Sequence, residues 1–356
     1  MQRRAIRRAV TMKKMTLLII AMLLVTGASG AYGYFFIYDV EESKTPVLEK
    51  QNTNNTVEEE PDDPPPVSND NSSSDSNDTF FRGIRDECFE HGGMERCWKL
   101  YVPDETDETQ SIPLILDIHG LERNAENQYE MTDMDRIAKE NNAIIIYPQG
   151  YGNSWNFGAC CDPAKDEGID DIGFLRSLVT YHLDIFPIDS NRVYLTGWSN
   201  GCAMSQVLAN EASDMFTAVA CMSMYFIGDK DPSYSPIPVM EIHGFLDPVA
   251  IYSHVAATSF FFQQVFWNTG AIQNLYAWKD MNECSGTFPD RNEESLYYNI
   301  QGFTDCTNNA EVALVTIHVG THNVYVNDDP VSSEPGTQGT VDTAQIAWDF
   351  LSPHSK

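Results

Sequence analysis

Basic residues are scarce in this chain. Its 356 residues include 22 Lys and Arg against 52 Asp and Glu, which gives a formal net charge of −30. Six of the basic residues precede the first acidic one, so the rest of the chain holds only 16 basic side chains. A surface this acidic repels phosphate backbones, so nucleic acid is not an expected partner.

The cysteines lack the C-x-x-C spacing of a zinc site, and no metal is expected. Their number, eight, is even and predicts up to four disulfides in an oxidising compartment. Because a bridge between neighbours strains the peptide, we expect the adjacent Cys160 and Cys161 to pair elsewhere, with Cys202 and Cys221. The alternative for these four cysteines is one bridge and two buried thiols. The full set is Cys88, Cys97, Cys160, Cys161, Cys202, Cys221, Cys284 and Cys306.

A basic N-terminus followed by an apolar run predicts a targeting segment. The apolar residues 16–25 lead to the small residues Ala28 and Gly30, which is typical of a signal peptide spanning residues 1–30. Residues 15–38 also carry no charge and are long enough to cross a bilayer, so an uncleaved anchor to about residue 38 is the alternative. A membrane is a partner only in that second case. Both interpretations leave the remaining chain in a lumen or outside the cell.

Residues 41–79 have the composition of a linker. They are rich in Asn, Ser, Asp, Glu and Pro, and such a segment buries too little apolar surface to fold. N-glycosylation sequons occur at Asn54, Asn71 and Asn77. The sequence therefore predicts a glycosylated linker followed by one catalytic domain over residues 80–356.

Beyond residue 80, short apolar runs alternate with longer amphipathic segments. This pattern predicts an α/β fold with a mostly parallel sheet and helices on both faces. Ligands in such folds bind beyond the carboxyl ends of the strands. The predicted strands are 97–102, 113–118, 143–147, 192–196, 217–222, 238–243 and 311–319, and the predicted helices are 127–141, 170–186, 200–210 and 340–351.

A G-x-S-x-G motif at residues 197–201 lies between a predicted strand and a predicted helix. A sharp turn at this place lifts the serine onto the helix N-terminus, where backbone N–H groups favour a developing negative charge. Ser199 is therefore the predicted nucleophile. An ordinary glycine turn is the alternative.

A serine nucleophile needs a base, and the base needs an acid, in the chain order Ser, Asp, His. Asp247 follows the predicted strand 238–243 and is the expected acid, with a simple turn cap as the alternative. His322 follows the predicted strand 311–319 and is the expected base, whereas His318 lies within that strand. The backbone N–H groups of Leu121 and Asn200 are the predicted oxyanion hole, because Leu121 is in the loop after the predicted strand 113–118 and Asn200 follows the nucleophile.

Several motifs in order resemble a family of secreted esterases that groups polyhydroxybutyrate depolymerases, feruloyl esterases and acetyl xylan esterases, similar to carbohydrate esterase family 1. The resemblance covers about residues 88–351. It rests on His119-Gly120, Tyr147-Pro148-Gln149, Trp155-Asn156, Cys160-Cys161, Asp170-Asp171-Ile172-Gly173-Phe174, Gly197-Trp198-Ser199-Asn200-Gly201 and His243-Gly244-Phe245-Leu246-Asp247.

This resemblance implies an α/β-hydrolase fold, no cofactor, and the triad Ser199, Asp247 and His322. It also implies a Cys284–Cys306 disulfide. We expect His119, Trp155 and Trp198 to contact the substrate, an ester on a polysaccharide such as a feruloyl or acetyl group, with Phe157 joining the two tryptophans as an aromatic wall. Packing in the core is the alternative for the three aromatic side chains. A hydroxyalkanoate polyester is the second expectation. An acyltransferase, a serine peptidase or an inactive binding protein on the same scaffold is the alternative of another class.

Overall fold

The computed structural model describes residues 80–226, 228–253, 270–325 and 341–356. The targeting segment, the linker and its three sequons lie outside these ranges and stay predictions. Among the helices of the described ranges, none combines the length and the apolar character needed to cross a membrane.

Ten strands form one sheet in the order β1-β2-β4-β3-β5-β6-β7-β10-β9-β8. The six strands from β4 to β10 in this order run parallel, and an antiparallel pair extends each edge. The strands are β1 Gly83–His91, β2 Met94–Val102, β3 Ile112–Ile118, β4 Ile144–Pro148, β5 Ile188–Gly197, β6 Ala218–Met222, β7 Val239–Gly244, β8 Arg291–Glu294, β9 Tyr298–Phe303 and β10 Val312–Ile317.

Six α-helices of the described ranges cover the two faces of this sheet. Side chains of β3 show why two layers form, because Leu114 and Leu116 pack into one core while Ile115 packs into the other. The first core is shared with α3, α4 and α5, and the second with α1, α2 and α6. The helices are α1 Ala125–Thr132, α2 Met134–Asn141, α3 Asp171–Ile185, α4 Asn200–Glu211, α5 Ala271–Met281 and α6 Thr343–Leu351.

The predicted core elements are present, with two kinds of difference. The predicted helix 127–141 is two helices, because Asp133 adopts a left-handed conformation with φ of 58° and interrupts the hydrogen-bond ladder. Strands β1, β8 and β9 and helix α5 are additional. The edge strand β8 has the sequence Arg-Asn-Glu-Glu, and its polar composition gives no strand signal.

The disulfide prediction for the adjacent cysteines is wrong. Cys202 on α4 pairs with Cys221 on β6, where the two Cα atoms are 5.0 Å apart, so neither is free to bridge the adjacent pair. Cys160 and Cys161 are instead bonded to each other. Cys284 pairs with Cys306, as the resemblance implied, and Cys88 pairs with Cys97 across β1 and β2.

Candidate active site

Ser199 lies in a sharp turn between β5 and α4. Its backbone has φ of 55° and ψ of −121°, a strained combination for a residue with a side chain. The turn is possible because its flanking glycines pack against the neighbouring strand. A Cβ atom on Gly201 would lie 1.9 Å from the carbonyl oxygen of Ile118, and one on Gly197 would lie 2.6 Å from it. The turn therefore presents the Ser199 hydroxyl at the carboxyl edge of the sheet.

His322 lies in the loop that follows β10. Its Nε2 atom is 2.9 Å from the Oγ atom of Ser199, within hydrogen-bonding distance. The imidazole packs beside the indole of Trp198, with 5.2 Å between the ring centroids, and 13% of its side chain is exposed. His322 can therefore accept the Ser199 proton and still reach solvent.

Asp247, in the loop after β7, orients this histidine. Its Oδ2 atom is 2.8 Å from Nδ1 of His322. Its Oδ1 atom accepts hydrogen bonds from the backbone N–H groups of Val249 and Ala250, at 2.8 and 2.9 Å. One carboxylate thus both caps a turn and binds the imidazole. Burial opposes ionisation, but hydrogen bonds from His243 and His322 outweigh it and lower the pKa of Asp247 to about 2.

The loops after β7 and β10 are joined directly. The N–H groups of Phe245 and Leu246 donate to the carbonyl oxygens of Ile317 and Gly320, at 2.9 and 2.8 Å. Gly244 permits this approach, because a Cβ atom there would lie 2.4 Å from the Gly320 carbonyl oxygen. Since β5, β7 and β10 are parallel, the side chains that follow them meet at one edge of the sheet.

The two predicted oxyanion donors, Leu121 and Asn200, both line the cleft beside Ser199. Within the described residues, neither backbone N–H group donates to a protein acceptor. The Asn200 amide opens helix α4, where the partial positive charge of the helix N-terminus favours an anion. The Leu121 loop is held by a 2.9 Å hydrogen bond from the Glu122 N–H to the Asn153 carbonyl oxygen.

The cleft beside Ser199 has a largely apolar wall. An apolar wall suits an acyl chain, and the two amides at its base suit a carbonyl oxygen. The wall is formed by Leu121, Phe157, Cys160, Cys161, Met224, Val249 and Ala250. Met224 comes from the loop after β6, which the sequence did not mark as functional, whereas Val249 and Ala250 follow the expected acid in its own loop.

Two predicted substrate contacts need correction. His119 and Trp155 are both 0% exposed, so neither side chain can touch a substrate. His119 Nε2 accepts the Gly150 N–H at 2.9 Å, and Trp155 Nε1 donates to the His119 carbonyl oxygen at 2.9 Å. Their role is to hold the loops around the cleft. Trp198 contacts His322 instead, and it is not among the described residues that line the cleft.

The Asn200 side chain fixes the loop that carries Trp155. Its Oδ1 atom accepts the Trp155 N–H at 2.8 Å, and its Nδ2 group donates to the Trp155 carbonyl oxygen at 3.1 Å. Asp171, which is 1% exposed, holds the next residue by accepting the Asn156 N–H at 2.8 Å, and it pairs with the buried Arg96 at 2.6 Å. Side-chain hydrogen bonds, rather than the expected disulfides, therefore fix this loop beside Ser199.

The sheet, its helices and the strand-end site define an α/β-hydrolase, the predicted fold class. The family model described as esterase PHB depolymerase matches residues 90–281, and the chain belongs to this family.

Comparison with known proteins finds distant relatives. Feruloyl esterase B of Piromyces equi is 25% identical over 222 residues, which cover 60% of this chain and 40% of that protein. Feruloyl esterase B of Thermothelomyces thermophilus is 33% identical over 141 residues, which cover 39% of this chain and 47% of that protein. The chain thus spans less than half the length of these two relatives. The solved structure of a thermostable esterase aligns with a TM-score of 0.51 at 17% identity, over 77% of this chain and 63% of that one, a likeness of fold.

Proposed function

We propose that this protein is a carboxylic ester hydrolase whose catalytic triad is Ser199, His322 and Asp247. The observation that carries the proposal is the continuous pair of contacts through one imidazole, 2.9 Å to the serine hydroxyl and 2.8 Å to the carboxylate. This arrangement activates a serine because the imidazole takes the proton while the carboxylate stabilises the resulting imidazolium. Membership of an esterase family supports the same reaction class.

The reaction runs in two steps. Ser199 Oγ attacks the ester carbonyl carbon as Nε2 of His322 takes its proton, and the Leu121 and Asn200 N–H groups bind the oxyanion. The tetrahedral intermediate collapses, His322 returns the proton to the departing alcohol, and an acyl-enzyme remains. Water then attacks the acyl carbon with His322 as base, which releases the carboxylic acid and restores the Ser199 hydroxyl.

The proposed substrate is a feruloyl or acetyl ester on a polysaccharide. Two relatives named feruloyl esterase B support this class, and the apolar wall of the cleft suits an acyl group. A hydroxyalkanoate polyester is the second candidate, because the matching family is described as esterase PHB depolymerase. Hydrolysis rates of the full chain on methyl ferulate, acetylated xylan and short polyhydroxybutyrate distinguish them. The fastest rate on the polyester would overturn the polysaccharide assignment.

Ser199→Ala in the full chain tests the reaction itself. We expect hydrolysis of p-nitrophenyl acetate to fall by about 10³-fold or more, because removal of a serine nucleophile costs most of the rate enhancement. Thermal unfolding should change little, since the small side chain is kept at the strained turn. Ser295→Ala, at an exposed serine in the β8–β9 turn, is the matched control and should keep full activity.

A second pair of variants tests the base. His322→Gln should lose activity to a similar extent, whereas His318→Gln, at an exposed ring whose Nδ1 is 3.2 Å from the Leu296 carbonyl oxygen, should keep it. Activity retained in either Ser199→Ala or His322→Gln would refute the proposed triad.

Secretion completes the proposal. All eight cysteines lie in disulfide pairs, which fits an oxidising compartment. N-terminal sequencing of protein recovered from the medium tests it, and a mature chain that retains residues 1–30 would contradict cleavage.

A further inference from the structure

A second histidine lies behind the catalytic acid. His243 and Glu241 are two residues apart on β7, so their side chains emerge on the same face of the strand. They are 0% and 2% exposed. His243 Nδ1 is 2.5 Å from Oε1 of Glu241, and its Nε2 atom is 2.8 Å from the Ala250 carbonyl oxygen and 3.3 Å from Oδ2 of Asp247. One buried imidazole thus lies between two acidic side chains.

The neighbouring amides fix the hydrogen-bonding role of Glu241. The Phe226 N–H can only donate, and it points at Oδ1 of Asn274 at 3.1 Å. The Trp278 indole N–H can also only donate, and it points at Oε1 of Gln206 at 2.7 Å. The Nδ2 group of Asn274 must therefore point away from the Phe226 N–H, and it donates to Oε2 of Glu241 at 2.5 Å. The remaining oxygen of Glu241, Oε1, faces His243.

The partners of His243 also fix its protons. A backbone carbonyl oxygen can only accept, so Nε2, which faces the Ala250 carbonyl and Asp247, carries a proton. Nδ1 faces a carboxyl oxygen across a short contact. Of the described residues, the other titratable groups packed against this imidazole are Tyr225, stacked at 6.3 Å, and Tyr252, edge-on at 6.0 Å. Neither supplies a positive charge that would oppose a second proton.

We propose that His243 is a positioning residue, a buried imidazolium that bridges Glu241 and Asp247 and holds the Asp247 carboxylate ionised and aimed at His322. This role rests on the proposed triad. Burial disfavours the charged imidazole, but hydrogen bonds to Asp247 and Glu241 outweigh it and raise the pKa of His243 to about 10. The charges then alternate from Glu241 to His322 when the catalytic imidazole takes the serine proton, so no buried charge lacks a partner.

The first test is the pH profile of ester hydrolysis by full-length Glu241→Gln. Wild-type kcat should stay flat to about pH 9, because His243 keeps its charge there. Without the Glu241 carboxylate the pKa of His243 falls, so kcat of the variant should decline between about pH 7 and 9 as that proton is lost. Asp117→Asn, at a buried carboxyl on β3 that is bound by Gln128 and Thr132, is the matched control and should keep the wild-type profile.

His243→Gln removes the titrating group itself. It should lower kcat by about 10- to 100-fold with KM little changed, because a hydrogen bond to a charged group is lost, and it should show no decline on the alkaline side. A kcat within about twofold of wild type, or a Glu241→Gln profile that superimposes on wild type, would overturn the proposal.

A measurement on the unaltered protein covers the case of variants that do not fold. With ¹⁵N-labelled histidine, one imidazole should keep both ring nitrogens protonated to about pH 9, and the absence of such a signal would overturn the proposal. This readout does not depend on esterase activity. It therefore separates a failure of the His243 assignment from a failure of the triad, which Ser199→Ala tests.

Discussion

Two histidines of this protein share a sequence context and differ in charge. His119 follows β3 and His243 lies at the end of β7, each precedes a glycine, and each is 0% exposed. The ring nitrogens of His119 face the Gly120 carbonyl oxygen and the Gly150 N–H, one acceptor and one donor. Those of His243 face only acceptors. The first environment favours a neutral imidazole and the second an imidazolium.

The pKa shifts of the two side chains follow from these partners. Burial lowers the pKa of His119 to about 4, and its single hydrogen bond to the Gly120 carbonyl oxygen only partly opposes the effect. The same burial acts on His243, but two acidic neighbours reverse the outcome and raise its pKa to about 10. Burial alone therefore does not decide the charge of a histidine at a strand end; the hydrogen-bonding partners do.

Replacement of each histidine by leucine should give the largest difference between the two sites, measured as the loss in the free energy of unfolding. His243→Leu leaves two buried carboxyl groups without their counter-charge, and we expect a loss of about 3–5 kcal/mol in the free energy of unfolding. His119→Leu leaves one buried N–H without an acceptor, which costs about 1–3 kcal/mol. Urea unfolding at pH 7 measures both, and a larger loss for His119→Leu would break the comparison.

The losses of unfolding free energy in His243→Leu and His119→Leu should depend on pH in opposite directions. Neutral His119 stabilises the fold above its unfolded pKa of about 6.5, and this contribution is lost as pH falls toward its folded pKa of about 4, by up to about 1.4 kcal/mol per pH unit. Charged His243 stabilises the fold fully below about 6.5, and this contribution is lost as pH rises toward its folded pKa of about 10.

The measurement is the gap in unfolding free energy between wild type and each leucine variant. For His119→Leu the gap should narrow from pH 6.5 to 4, and for His243→Leu it should narrow from pH 6.5 to 10. Slopes of the same sign in the two variants would show that both imidazoles have the same charge in the folded protein.

The nucleophile turn could be predicted from sequence because its determinants are local. A strand, two glycines and a helix within residues 192–211 suffice to present Ser199, and the chain order then selects Asp247 and His322, which the structure brings together. Their catalytic roles stay predictions. The parallel core was predictable for a similar reason, since buried strands such as β4 are unbroken apolar runs.

Features that depend on distant partners were not predictable. His119-Gly120 and His243-Gly244 look alike in sequence, and only the structure supplies the Gly150 N–H to one and the Glu241 carboxyl to the other. Glu241 is itself oriented through Asn274 on α5, a helix without a clear sequence signal. The predicted bridges from Cys160 and Cys161 to Cys202 and Cys221 were wrong for the same reason, because pairing is decided by distances in the folded chain.

The smallest expected effect concerns the neutral contacts around His243. The Tyr252 hydroxyl, whose ring packs against His243, is 2.5 Å from Oγ1 of Thr316. Thr316→Val removes this uncharged hydrogen bond and should cost about 0.5–1.5 kcal/mol in unfolding free energy. The slope of the unfolding free energy against pH should not change. Adding Tyr252→Phe should recover part of the loss, because no buried hydroxyl is then left unpaired. A changed slope in Thr316→Val would mean that the neutral shell, and not the two carboxyl groups alone, sets the charge of His243.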